Sequence, residues 1–144
     1  MSIEPGVVDT NVLVYALDAD ALQHATARAR LESARGGSAV LNVTSQILCE
    51  FYVVVTNARR VAKPRTSGDA LAAISDCLTF LQVLPVPAHA VEGWMSLARR
   101  HPVTGTDIFD LQIVATMQAH GIARIYTFNV VDFGALAELS VVTP

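Results

Sequence analysis

Val7-Val8-Asp9-Thr10-Asn11-Val12-Leu13 decides the fold of this chain. An apolar pair, enough for a short buried strand, runs straight into Asp9. Val12-Leu13-Val14-Tyr15-Ala16-Leu17 follows and is predicted as a short helix capped by Thr10 or Asn11. Asp9 is itself a possible N-cap, although Asn11 can fill that place and leave Asp9 free.

Outward from this stretch, strand and helix signals alternate. Ala21 to Ala34 is rich in Ala, Leu and Arg, a helix composition stopped by Gly36-Gly37. Ala39 to Val43 reads as a second strand. Thr44 or Ser45 caps a helix running to about Asn57. Arg59 to Ser67 contains Pro64 and is a loop, and Ser67 caps the next helix, whose Leu71, Ile74, Leu78 and Leu81 form one apolar stripe. Gln82 to Val86 is a third strand. Ala88 to Arg100 and Thr104 to His120 are helices, the second ended by Gly121. Arg124 to Thr127 and Ser140 to Val142 are the last strands. The expected fold class is therefore three-layer α/β/α, with a mostly parallel central sheet of four to five strands. No repeat or linker interrupts the chain, so residues 1–144 are read as one domain.

In such sheets, sites form at the carboxyl ends of the strands. Asp9 and Thr127-Phe128-Asn129 both follow strands directly. Asp110 stands near the start of its helix. Glu50 lies inside Ile47-Leu48-Cys49-Glu50-Phe51-Tyr52-Val53-Val54-Val55, with Ile47, Val53 and Val54 as its helical neighbours. A solvated face would carry Lys, Gln or Ser among those positions. Asp110 shares a face with Ile113, Val114 and Met117. A buried carboxylate without a partner costs several kcal/mol, on the order of a small domain's whole stability. No Lys or Arg stands near these acids in sequence, and a divalent cation answers the need. Thr104-x-x-Asp107 resembles a capping box, which competes with a metal-side role for Asp107. Asp132 is either a further acid of the site or a turn residue.

Composition narrows the classes. Hydrophobic residues make up 52% and charged residues 16% of the 144, so some apolar surface is expected to be covered by a partner or a second copy. A net charge of −3 excludes a generally basic nucleic-acid coat. Arg59, Arg60, Lys63 and Arg65 nevertheless gather four of the ten basic residues within seven positions, a candidate RNA-phosphate patch beside the acids, or a solvated loop. Cys49 and Cys77 form no C-x-x-C pair and are expected to be reduced and buried, as in a cytoplasmic protein. Met1-Ser2-Ile3-Glu4-Pro5 lacks the character of a signal peptide, and the longest apolar run, Val12 to Leu17, is far short of the roughly 20 residues that span a bilayer. His24, His89, His101 and His120 lack zinc-site spacing.

The ordered set Val7-Val8-Asp9-Thr10-Asn11-Val12-Leu13, Glu50, the Asp110 helix, Ala119-His120-Gly121-Ile122 and Thr127-Phe128-Asn129-Val130-Val131-Asp132-Phe133 resembles PIN-domain ribonucleases. Within that family it is most similar to the VapC toxins of bacterial toxin–antitoxin pairs. The resemblance spans nearly the whole chain. It implies cleavage of RNA with Mg²⁺ or Mn²⁺, leaving a 5′-phosphate and a 3′-hydroxyl, and a small antitoxin protein as partner. It makes Asp9, Glu50 and Asp110 the metal-binding acids. The fourth family position falls on Asn129, with Asp132 the nearest acid, and one extra residue between Asp110 and Asn129 leaves both open. Thr10 and Thr127 match small hydroxyl positions that orient ligands or water.

Two other classes stand against this. Asp9-Thr10-Asn11 superficially resembles the first motif of aspartate-nucleophile phosphatases, but those need Asp where Asn11 stands. A PIN-like module that only binds RNA or protein is the second alternative, and three intact acids argue against it. Neither G-x-G-x-x-G nor a Walker loop is present, so nucleotide-binding readings lack a phosphate cradle.

Overall fold

In the computed structural model, which describes residues 4–134, 136 and 138–144, the opening stretch forms β1 (Gly6–Val8) and α1 (Thr10–Leu17). The rest follows as α2 (His24–Arg35), β2 (Leu41–Thr44), α3 (Ser45–Val55), α4 (Ser67–Cys77), β3 (Gln82–Leu84) and α5 (Ala90–Arg100). A 3-10 turn (Gly105–Asp107) then leads to α6 (Ile108–Ala119), β4 (Arg124–Tyr126), α7 (Val130–Phe133) and β5 (Ser140–Val142). The N-terminal expectation rests partly on Met1-Ser2-Ile3, outside the described residues. Among those described, no helix is long and apolar enough to cross a membrane.

The five strands lie in the order β3-β2-β1-β4-β5, and every pairing is parallel. The chain builds outward from β1 to β3, then crosses back to place β4 on β1's other side. Crossovers between parallel strands are right-handed, so this reversal puts α1–α4 on one face and α5–α6 on the other. Helix contacts agree: α1 packs on α2 and α3, α3 on α4, and α5 on α6. The reversal opens a crevice beyond the carboxyl ends of β1 and β4, where open α/β sheets hold their ligands.

Burial explains the strand sequences. All of β1 and β2 is buried, including Asn42, whose Nδ2 donates to the Gly6 carbonyl at 3.1 Å. The sides of α6 carry Leu111, Ile113, Val114, Ala115 and Met117, all buried, because the sheet covers one side and α5 the other. Gly93 lets α5 approach: a Cβ there would stand 3.2 Å from Ala115 Cβ. Each fully buried Val, Leu or Ile of this kind contributes roughly 1.5–3 kcal/mol.

Four local expectations are corrected. The N-cap of α1 is Asp9, not Thr10 or Asn11, which lie in its first turn. The cap of α4 is Thr66, whose hydroxyl accepts from the Asp69 amide at 3.1 Å, and Ser67 is already helical. The Leu71–Leu81 stripe does not run along one helix: α4 ends at Cys77, Leu71 and Leu78 are 54% and 47% exposed, and Leu81 is buried. Cys49 is exposed on α3 rather than buried.

Candidate active site

Asp9 ends β1 with its backbone still tied to the sheet, its amide donating to the Tyr126 carbonyl at 3.0 Å. Its side chain is 8% exposed. Oδ1 accepts from the Thr10 amide at 2.8 Å. Oδ2 accepts from Thr127 Oγ1 at 2.9 Å and from Asn11 Nδ2 at 3.3 Å. Thr127 is wholly buried just past β4, and its hydroxyl is used in full, since it also accepts from Asn11 Nδ2 and from the Asn129 amide. Asn11 completes the tie by accepting from the Phe128 amide at 3.1 Å. Asn11 and Thr127 thus hold Asp9 against the far strand, and Asn11, left as a cap candidate by the sequence, belongs to the site.

Glu50 reaches the same crevice from α3. Thr10 Oγ1 lies 3.1 Å from Glu50 Oε2 and 3.3 Å from the Ile47 carbonyl, with one proton between them. Gln46, one turn earlier, donates from Nε2 to Glu50 Oε1 at 3.0 Å and to the Phe109 carbonyl at 3.1 Å. Sequence inspection misses Gln46, because a first-turn Gln looks like an ordinary solvated residue until α6 is placed beside it.

Asp110 sits half-buried in the first turn of α6. Its carboxyl is pushed up to about 7, first by burial and then by the charges of Asp9, Asp132, Glu50 and Asp107. Asp9 is also raised, by burial first, against the hydrogen bonds of Thr127 and Thr10 and with the charges of Glu50 and Asp132 adding to the rise. The charges of four other carboxylates therefore reach Asp110, and those of two reach Asp9. Among the described residues, every Lys or Arg ion pair goes to a different acid.

Asp107 is exposed and makes no capping bond. The Thr104 hydroxyl does not cap either, because the chain enters α6 through the 3-10 turn. The capping box is thereby corrected, and Asp107 is left as a charge beside Asp110. Of the two candidates after β4, Asp132 is the one whose charge reaches Asp9 and Asp110. Asn129 is exposed at the start of α7 and ties its backbone amide to Thr127.

Two members of the basic cluster, Lys63 and Arg65, lie at the other end of α1 from Asp9. Arg65 donates to the Leu17 carbonyl at 3.0 Å, and Lys63 pairs with Asp20 at 3.6 Å, on a cleft of about 250 Å³ at the end of α1 opposite Asp9. Eight residues of helix separate the two places by roughly 12 Å. Arg59 and Arg60 are exposed in the turn after α3. His24 and His120 each bond a backbone carbonyl, of Tyr15 and Pro85.

The donor set suits a hard divalent cation. It offers several carboxylate oxygens with no cationic partner, and Gln46 Oε1 is a buried acceptor without a partner among the described residues. No three His, Cys, Asp or Glu side chains among those residues already converge as a ligand group.

A parallel sheet with acidic side chains at its switch point, brought there by the ends of β1 and β4 and the starts of α3 and α6, is the arrangement that the family comparison recognises. The PIN-domain family model matches residues 6–139. Ribonuclease VapC43 of Mycobacterium tuberculosis is 34% identical over 114 residues, 75% of each chain. Ribonuclease VapC24 of the same species is 30% identical over 138 residues, covering 88% of this chain and 90% of that relative. The chain belongs to the PIN-domain family, among its VapC-type members. Solved structures share the fold. Mycobacterium tuberculosis VapC20, described as a sarcin–ricin-loop-cleaving toxin, superposes with a TM-score of 0.71 at 24% identity, over 96% of this chain and 99% of that one. VapBC2 from Rickettsia felis, bound to a promoter DNA fragment, gives 0.70 at 17% identity, over 97% and 98%.

Proposed function

We propose that this chain is an endoribonuclease that hydrolyses RNA phosphodiester bonds with Mg²⁺ or Mn²⁺, the toxin of a type II toxin–antitoxin pair. Residues 1–144 form its single nuclease domain, and it works in the cytoplasm. One observation carries the proposal: in a VapC-type chain, the charges of Asp9, Glu50, Asp107 and Asp132 all reach Asp110, and no Lys or Arg among the described residues pairs with these acids.

Asp9, Glu50 and Asp110 would hold the ion. Asn129 or Asp132 would complete the set, and the charge of Asp132 reaches both Asp9 and Asp110. A divalent ion at such a place fixes a phosphate oxygen, activates water and stabilises the charge of an in-line displacement. The remaining work belongs to the chain. Thr10, Thr127 and Asn11 hold Asp9 in one orientation, and Thr10 and Gln46 fix the two oxygens of Glu50. Burial and the neighbouring acids hold the Asp110 carboxyl up at about 7 in the metal-free chain. The same concentration of negative charge attracts a cationic side chain, which is how a small antitoxin blocks the crevice.

The test is cleavage of labelled single-stranded RNA with Mg²⁺, Mn²⁺ or chelator, alongside thermal melting. Wild-type protein cleaves only with the ion and melts at a higher temperature in its presence. Asp110→Asn reduces cleavage to background and leaves the metal-free fold at least as stable, because repulsion falls. No divalent-dependent cleavage or stabilisation, with Asp110→Asn strongly destabilised, makes the chain a non-catalytic binding module. Co-expression of a small upstream reading frame that neither binds the protein nor relieves a growth defect removes the antitoxin pairing.

A further inference from the structure

Phe109 stands one residue before Asp110, in the first turn of α6, and is 43% exposed. Val130 and Val131, just before Asp132 in α7, are 40% and 87% exposed. An aromatic ring and two aliphatic side chains next in sequence to two of the acids are therefore left uncovered by the fold.

The backbone beneath the ring is fixed. Gln46 Nε2 donates to the Phe109 carbonyl and to Glu50 Oε1. A carbonyl only accepts, so the amide nitrogen has to face it, and this settles the orientation of the Gln46 side chain. One residue thus registers α6's first turn against the Glu50 carboxylate. Phe109 stands at a set place relative to two of the acids.

We infer that Phe109 is a stacking platform for an unpaired nucleobase of the RNA, next to the phosphate held at the acids. The inference rests on the ribonuclease reading and deepens it by assigning a residue that positions the RNA beside the acids. Every phosphodiester presented to the carboxylates brings a base on each adjoining ribose. No Lys or Arg among the described residues pairs with the crevice acids, and Lys63 and Arg65 sit at the other end of α1 from Asp9. Holding the substrate close to the acids therefore falls to neutral surface. A phenyl face accepts any base, because every base has a π-face. Inside a duplex those faces are covered by neighbouring bases, so only a splayed base reaches the ring. An acidic protein surface is repelled by the surrounding carboxylates.

The experiment compares wild-type protein with Phe109→Ala, Phe109→Leu and Phe109→Trp. Kinetics are measured on one RNA sequence, single-stranded and annealed to its complement. Binding is followed by 2-aminopurine fluorescence of the single strand in the Asp110→Asn background. Loss of base stacking raises KM roughly 5- to 100-fold in Phe109→Ala, with a much smaller change in kcat. Phe109→Leu, which keeps apolar volume against the fold, behaves like Phe109→Ala. Phe109→Trp restores the lost KM. The 2-aminopurine signal is quenched on binding only when an aromatic ring is present. Unchanged KM and quenching in Phe109→Ala overturn the platform, as does equal cleavage of single strand and duplex. A change of oligomeric state in Phe109→Ala with RNA binding intact assigns the ring to a second copy and also overturns it. RNA bound by neither wild type nor variant removes the ribonuclease reading, and the platform with it.

Discussion

At the scale of the residue, the crevice stores electrostatic strain that pH can read. Asp110 titrates at about 7 in the fold against 3.8 for a free side chain. Below about pH 4 it is protonated whether the chain is folded or not. Between about pH 4 and 7 the folded chain keeps the proton longer, so its stability falls as pH rises through that window and levels off above it. Asp9 is raised as well and steepens the fall. The metal-free protein is therefore expected to melt at a lower temperature at about pH 8 than at about pH 5, and Asp110→Asn flattens the difference. A wild-type melting temperature constant across that range removes the coupling. Asp9, Glu50 and Asp110 were legible in the sequence, because each interrupts an apolar pattern with a charge that nothing nearby neutralises. Gln46 and Asn11 were not. Their meaning lies in partners 63 and 117 positions away, Phe109 and Phe128, and no local pattern records such a contact.

At the scale of the element, the strand and helix order was legible, and errors gathered at helix starts and at one surface. Thr104 looked like a cap because spacing alone does not show that the chain enters α6 by a 3-10 turn. The α4 stripe looked buried because periodicity gives a face without giving what covers it. Gly6 shows how two strands constrain each other. A Cβ there would stand 2.7 Å from Tyr126 Cε2, and the Arg30 guanidinium stacks 4.2 Å from that ring's centroid, which stops the ring from swinging away. Gly6→Ala is expected to cost about 1–3 kcal/mol in urea unfolding. Tyr126→Leu should absorb part of that cost in a double-mutant cycle, and independent, additive effects would refute the clash. The loop after α3 makes a separate prediction. Replacing Arg59, Arg60 and Lys63 with Ala should weaken binding of all RNA sequences alike and flatten the log–log salt slope by about two units for a single strand. An unchanged slope means that Lys63 and its neighbours serve only the end of α1.

At the scale of the whole molecule, low charge and exposed apolar side chains point to self-association. Only 16% of residues are charged, and Val53, Leu71, Leu78, Val83 and Val91 are all exposed. A homodimer is expected. Sedimentation at micromolar concentration checks it, and a lone 15.4 kDa species counts against it. The bond between Thr127 and Asp9 joins residues 118 apart in sequence. During synthesis the first acid of the crevice leaves the ribosome long before the hydroxyl that orients it. β4, too, can pair with β1 only once most of the chain has been made. A cell translating this message therefore carries nascent chains whose cutting edge is still in pieces. The hazard of a free nuclease begins close to the moment of release, which gives a co-translated inhibitor time to be present first.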